Sequence, residues 1–253
     1  MNDEFTLDML DVPSAWNRGE GDWAGIAAAM KRGETVEVIQ EVGSTLWQNS
    51  LPDHHSLYWE GENLSTIKGR IWISFTQRRF APESALPKVQ LHPRVLWVGI
   101  GCEGGTPREL IETAIQNVCR GAHLADRAIA GIATVDTKAG EVGLLELCTA
   151  RNWPLKTFAA DILNSVEVPN PSNVVAQKVG TKSVAEAAAL CAIAQILTAR
   201  QHQETQISIS HPRLSAFGGV SHPLLVPKKI FRSEKKLGSV TVAVAVCPID
   251  YLG

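Results

Sequence analysis

The sequence predicts an α/β protein, a three-layer α/β sandwich with a mainly parallel or mixed sheet, preceded by a small α+β module. Three observations carry that prediction. From about residue 93 onward, short apolar runs alternate with helical stretches, the pattern of strands joined by crossover helices. Six of the seven tryptophans (Trp16, Trp23, Trp47, Trp59, Trp72, Trp97) precede residue 98, whereas the alanine-rich stretches lie mostly after it. Finally, 253 residues at 45% apolar composition suffice to bury a core in one large domain or two small ones. Composition changes where Pro82, Pro87 and Pro93 interrupt regular structure, so the expected division is 1–92 and 93–253.

In the first part, Asp22 is placed to cap a short helix over residues 23–30 that Gly33 ends. Residues 35–41 alternate apolar and polar, as a half-buried strand does, and residues 70–76 form a second strand candidate. Residues 43–68 between them are polar and rich in turn formers. The second part opens with a buried strand at 95–100 and a glycine cluster. Thr106, Pro107 and Glu109 then make a near-complete capping box for a helix to about residue 120. A second buried strand follows at 129–135, a helix at 142–150 and a third strand at 155–158. Ser183 and Glu186 form a full capping box opening a helix to about residue 197. Two closing strands, 224–227 and 240–246, flank a lysine-rich turn, and their pairing as a hairpin would give the sheet a mixed edge. The glycine-containing segment 208–221 reads as an exposed loop.

Net charge is −2, which argues against a general nucleic-acid binder. Its distribution is uneven: residues 1–90 carry net −5 and residues 91–253 net +3, compatible with an anionic ligand on the second part. The longest apolar stretch, residues 184–198, contains Glu186 and Gln195 and is too short to span a bilayer. The acidic start Met1-Asn2-Asp3-Glu4 is unlike an export signal, so a cytoplasmic location is expected. Five widely spaced cysteines without a CxxC read as reduced thiols, not as a disulfide or zinc framework. No HxxxH, HExxH or GxSxG pattern occurs, and no metal site of the protein's own is expected.

The sharpest chemical feature is Gly99-Ile100-Gly101-Cys102-Glu103-Gly104-Gly105-Thr106, between a strand and a helix. Glycines let the backbone approach a ligand, and a helix N-terminus offers N–H groups with partial positive charge. The run satisfies GxGxxG, but the acidic residue that would bind a ribose is not near its usual place, Asp136 lying roughly 30 positions on. A nucleotide, a non-nucleotide anion and a purely structural turn all remain open. Cys102 sits where a helix N-terminus would lower a thiol pKa, although a packing role is as natural. At the end of the second strand, Asp136, Thr137, Lys138 and Glu141 stand where α/β sheets bind ligands. There Lys138 suits a carboxylate, and Asp136 or Glu141 suits acid–base work. Alternatively, Asp136 caps a turn and Glu141 favours a helix start. The stiff segment Val168-Pro169-Asn170-Pro171-Ser172 presents Asn170 and Ser172 at a rim, or ends in a simple cap. Lys228 either meets an anion or is solvated.

Over some 150 residues these pieces resemble the C-terminal domain of the cobalamin-biosynthesis protein CbiG and its stand-alone relative CobE. The resemblance rests on Gly99-Ile100-Gly101-Cys102 with Gly105-Thr106, and on Thr134-Val135-Asp136-Thr137-Lys138 with Gly143-Leu144-Leu145-Glu146. It continues through Val168-Pro169-Asn170-Pro171-Ser172, Val179-Gly180-Thr181 with Ser183-Val184-Ala185-Glu186, and Leu225-Val226-Pro227-Lys228. The tryptophan-rich segment before residue 90 is similar to the family's middle region. The resemblance implies opening of the δ-lactone of cobalt-precorrin-5A with release of acetaldehyde. Its alternative is a non-catalytic, CobE-like corrinoid-binding or carrier role. Cobalt then arrives inside an anionic corrinoid substrate, and no further cofactor is implied. Catalysis falls to Asp136 and Glu141. Substrate binding falls to Gly99, Gly101, Cys102, Gly104, Gly105, Thr106, Thr137, Lys138, Asn170, Ser172 and Lys228. Two departures stand out. Glu103-Gly104 occupies a place where the family usually carries basic residues, and no GH-x-GGAN-type motif of the family's N-terminal domain occurs. A separate N-terminal domain, or a neighbouring enzyme of the pathway, is therefore an implied partner.

Overall fold

The computed structural model describes residues 16–59, 66–80, 85–169, 183–207, 223–232 and 238–250. The chain forms two compact units. The first comprises Met1–Val95, His123–Ala128 and Ile249–Gly253; the second comprises Leu96–Ala122 and Ile129–Pro248.

Among the described residues, the first unit is a five-stranded sheet with one α-helix, of nine residues. Its strands are β1 (Asn17–Gly21), β2 (Val36–Gln40), β3 (Leu57–Trp59), β4 (Gly69–Ile73) and β5 (Lys88–His92), and its helix is α1 (Trp23–Lys31). The order across the sheet is β1-β5-β4-β2-β3, all parallel except the β1–β5 pair. Asp22 caps α1 as its sequence position indicates, its Oδ1 accepting from the Gly25 amide at 2.8 Å. Alternation along β2 and β4 sends Val36, Val38, Ile71 and Ile73 into the core with Ile26 and Met30 of α1.

Three strands of this sheet depart from the sequence reading. Residues 43–68 are not only turns, because they hold β3. Residues 82–93 do not merely interrupt structure: β5 lies between Pro87 and Pro93, which flank the strand and so withdraw no ladder donor from its interior. β1 has an almost wholly exposed sequence, Asn-Arg-Gly-Glu-Gly, and carries no alternation to detect. His92, at the β5 end, is fully buried; its Nδ1–H donates to the Ser74 carbonyl at 2.8 Å.

The second unit is the expected sandwich. Its strands are β6 (Leu96–Cys102), β7 (Ile129–Val135), β8 (Leu155–Phe158), β9 (Leu224–Arg232) and β10 (Ser239–Val246). They lie in the order β8-β7-β6-β10-β9. β6, β7 and β8 run parallel, while β10 and β9 form the antiparallel hairpin that makes the edge mixed. The helices are α2 (Arg108–Gly121), α3 (Val142–Arg151), the short α4 (Ala160–Asn164) and α5 (Val184–Ile207). α5 packs across the sheet with α4 beside it, and α2 and α3 pack together on the other face. β7 is buried along its whole length, as a central parallel strand should be.

α5 can lie close because β6 has no side chain beneath its first turn. A Cβ on Gly99 would stand 1.8 Å from the Ala185 carbonyl oxygen. Neither predicted capping box forms. Thr106 Oγ1 donates to the Glu103 carbonyl at 2.8 Å, and Pro107, with no side-chain bond, is the residue that precedes α2. Ser183 Oγ is buried without a partner among the described residues, and the Glu186 carboxylate reaches a different strand. α5 also continues beyond the predicted end, to Ile207. The segment 208–221, read as a loop, lies outside the described residues.

Candidate functional site

The chain after β6 has to turn tightly to enter α2, and Gly105 does so at φ +74°, a backbone conformation that favours glycine. α3 comes close to this turn because Gly143 has no side chain; a Cβ there would lie 2.3 Å from the Thr106 carbonyl oxygen. Glu141, the residue just before α3, therefore meets the glycine loop. The Gly105 amide donates to its Oε1 at 2.6 Å, the Thr106 amide also donates to it, and Lys138 Nζ donates to Oε2 at 3.0 Å. Burial opposes ionisation of this carboxyl. The Lys138 ammonium and the two amides outweigh burial and hold Glu141 below the usual carboxylate range.

The other wall of the loop is fixed by β10. The Glu103 amide donates to the Ser239 carbonyl at 3.2 Å, and Ser239 Oγ donates to Glu103 Oε1 at 2.9 Å. Glu103, which breaks the family pattern, is thus turned toward β10 and helps fasten the loop. Gly238 passes Thr106 so closely that a Cβ would lie 2.7 Å from its Oγ1. The loop is a rigid turn with amides aimed at one carboxylate.

The predicted site residues divide into groups. Cys102, Gly104, Gly105, Thr106, Lys138 and Glu141 come together at the carboxyl end of β6. Burial pushes the Cys102 thiol up to about 11, with Lys138 opposing and Glu141 adding to the shift. The lowering expected from the helix N-terminus is overridden. Asp136 and Thr137 are exposed in the 3-10 turn Asp136–Lys138 at the end of β7, where Asp136 Oδ1 accepts from the Thr137 amide at 2.7 Å. Gly99 lies under the first turn of α5, whereas a Cβ on Gly101 would meet Thr241 and Val184 at an ordinary 3.7 Å. Lys228 is not in the loop cluster. Its amide donates to Glu186 Oε1 at 3.0 Å, on β9. Asn170 and Ser172 lie outside the described residues.

Sequence reasoning missed Glu186, Glu103 and Ser239 as members of this framework. Glu186 is hidden by a plausible local role in a capping box, although a carboxylate followed by eight apolar residues signals burial. The pairing of Glu103 with Ser239 spans 136 positions and leaves no local trace. Among the described residues, no three His, Cys, Asp or Glu side chains cluster in a way that could hold a metal ion. No helix among them is long and apolar enough to cross a membrane.

Fold and site together define an α/β protein with a carboxylate seat at the carboxyl end of its parallel strands, where this architecture places ligands. Residues 96–245 match the family described as Cobalamin synthesis G C-terminus, and residues 5–93 match Cobalamin biosynthesis central region. The chain belongs to the cobalamin biosynthesis protein G (CbiG) family. It is 24% identical over 231 residues to a Cobalt-precorrin-5A hydrolase of Priestia megaterium, covering 89% of this chain and 53% of the relative. It is 35% identical over 155 residues to a Cobalt-precorrin-5A hydrolase of Salmonella typhimurium, covering 61% and 42% respectively. The chain thus spans about half the length of the curated relatives it matches. The crystal structure of CobE, a protein from the cobalamin (vitamin B12) biosynthetic pathway, is 25% identical with a TM-score of 0.44, covering 59% of this chain and 93% of that one.

Proposed function

We propose that this chain acts in cobalamin biosynthesis on an anionic cobalt-corrinoid, opening the δ-lactone of cobalt-precorrin-5A with release of acetaldehyde, in concert with an N-terminal domain of the CbiG type. The observation that carries the reading is the carboxylate held by the Gly105 and Thr106 amides and Lys138. The loop's amides and Lys138 show that this place can seat a carboxylate, here Glu141, and a part of the chain with net +3 charge suits a substrate that carries several. Lys228 supplies a second cationic contact on the same unit. The cobalt travels in the substrate. A cytoplasmic location suits five cysteines of which none forms a disulfide.

In this reading Asp136 orients and deprotonates the attacking water, since it is exposed and Thr137 fixes one of its oxygens. Water adds to the lactone carbonyl, and the Lys138 ammonium, which has donors beyond the one given to Glu141, stabilises the oxyanion. Collapse breaks the acyl C–O bond and leaves a carboxylate and a hydroxyl. The two-carbon unit departs when its bond to the macrocycle breaks. Its hydroxyl oxygen becomes the aldehyde oxygen, the electron pair stays on the ring carbon, and one proton moves from the hydroxyl to that carbon.

The test is anoxic titration of the chain with cobalt-precorrin-5A, with visible spectra and an acetaldehyde assay on one sample. Acetaldehyde at or above one equivalent supports the reading, and Asp136→Asn should then lower kcat by about 10²–10⁴-fold. A spectral shift without acetaldehyde, also after adding a CbiG N-terminal domain, moves the chain to the binding or carrier role. Absence of both signals refutes the assignment.

A further inference from the structure

His92 ends β5 beneath the edge strand β1, and its surroundings commit the ring to one protonation state. The Ser74 carbonyl can only accept, so Nδ1 carries the proton shared with it at 2.8 Å, and Nε2 is left with a lone pair. His92 has no exposed surface, and Nε2 has no hydrogen-bond partner among the described residues. What lies against Nε2 is backbone. Asn17 pairs with His92 and Arg18 with Leu91, whereas Gly21 pairs with Val89, so Gly19 and Glu20 together oppose Gln90. Two residues opposite one is a β-bulge, and this one carries Gly19 over the ring. A Cβ on Gly19 would lie 2.4 Å from Nε2.

A proton added at Nε2 would create a buried cation whose new N–H points into Gly19 and meets no acceptor among the described residues. Burial accordingly holds this ring below the usual histidine range. The Ser74 carbonyl opposes that shift, as do Asp126 and Glu20, while Arg127 adds to it. Asp126 and Arg127 belong to the 3-10 turn Asp126–Ala128, and Glu20 to β1 itself. From just past β2, Glu41 accepts from Ser74 Oγ at 2.5 Å and is paired with Arg78. β1 is the element able to give way, since it stands at the sheet edge beside β5 and none of its residues is buried. Two of its anchors do not titrate: Trp23 Nε1 donates to the Gly19 carbonyl at 3.0 Å, and Asn17 Nδ2 to the Arg127 carbonyl at 2.7 Å. We propose that His92 makes β1 a pH-released edge strand: β1 seats only on the neutral ring, and protonation of Nε2 frees it. β5 then becomes the edge of the sheet, its outer N–H and C=O groups without a strand to pair them.

The test is hydrogen exchange of the full chain at pH 7.5 and pH 5.5, with rates corrected for the intrinsic effect of pH. Above about pH 6.5 the ring is neutral whether β1 is seated or free. Below that value only the freed form takes up the proton, so opening gains up to about tenfold per pH unit until the buried ring itself titrates. We expect the amides of β1, Asn17–Gly21, to lose about tenfold in protection between the two pH values, while the central strand β4 keeps its own. His92→Gln keeps a donor for the Ser74 carbonyl and takes up no proton, so it should hold β1 equally at both pH values. Equal protection of β1 at both pH values in the wild-type chain overturns the proposal. A loss that persists in His92→Gln overturns it too, as does a loss shared equally by β4, which would be opening of the whole sheet. Where His92→Gln does not fold, the nitrogen-15 shifts of the wild-type His92 ring decide. Nε2 should protonate in step with the loss of β1 protection, and a ring that protonates while β1 stays protected refutes the release.

Discussion

Glu141 shows how one side chain can look free in sequence and be tied down in space. It ends a strand-to-helix turn next to Lys138, which suggests a free acid–base group. In the fold it is bound on three sides, by the amides of Gly105 and Thr106 and by Lys138. A carboxyl so tied is poorly placed to take a proton from water, which is why the proposed mechanism gives that step to Asp136. The same contacts link Glu141 to stability. Its folded pKa lies below its unfolded value of about 4.3, so its contribution is complete above that value and is lost as pH falls through the folded pKa. We expect Glu141→Gln to lower unfolding stability at pH 7 by about 1 kcal/mol. Below pH 4 the difference should shrink toward nothing. Urea titrations at the two pH values measure this; a penalty that is unchanged at low pH would mean the ion pair contributes nothing.

Elements were legible in proportion to how much of their stabilisation is local and apolar. β7 and β8 are found at the predicted residues because buried parallel strands are short apolar runs between polar turns. The longer helices are legible through periodicity and alanine content, the five-residue α4 is not, and helix ends are misread where a cap competes with a distant partner. Thr106 and Ser183 have the right chemistry for capping, and neither caps its helix. β1, β3 and β5 were invisible because each has three to five residues and gains its partners from remote strands. The GxG pair of β6 offers a clean test. Gly99→Ala puts a methyl group into the Ala185 carbonyl, where backbone must move, and should cost about 2–4 kcal/mol. Gly101→Ala meets only ordinary contacts and should change stability by less than about 1 kcal/mol. Equal losses in thermal unfolding would show that the pattern serves a backbone requirement and not the seating of α5.

At the scale of the whole molecule, the chain does not simply finish one unit and start the next. After the second unit is complete, Ile249–Gly253 returns to the first. There Asp250 is buried, its Oδ2 accepting from Trp16 Nε1 at 2.9 Å and its Oδ1 from the Ser44 amide at 2.8 Å. No feature of the local sequence at 249–253 announces this, since one aspartate after a proline reads as a turn. Removing the acceptor strands two donors in a buried place. We expect Asp250→Ala to destabilise the first unit by about 1–3 kcal/mol. Tryptophan fluorescence reports mainly on that unit, because five of the seven tryptophans belong to it. Its unfolding midpoint should fall in the variant, and an unchanged midpoint would show the tail to be incidental.

The returning tail bears on how the protein is made. A ribosome extends a chain at about 5–20 residues per second, so roughly ten to fifty seconds separate the appearance of Trp16 from that of Asp250. Small domains close in far less time than that. The nascent first unit therefore waits, with the Trp16 and Ser44 donors unmatched, while the second unit emerges and folds. Of the two units, the one synthesised earlier is the one completed later.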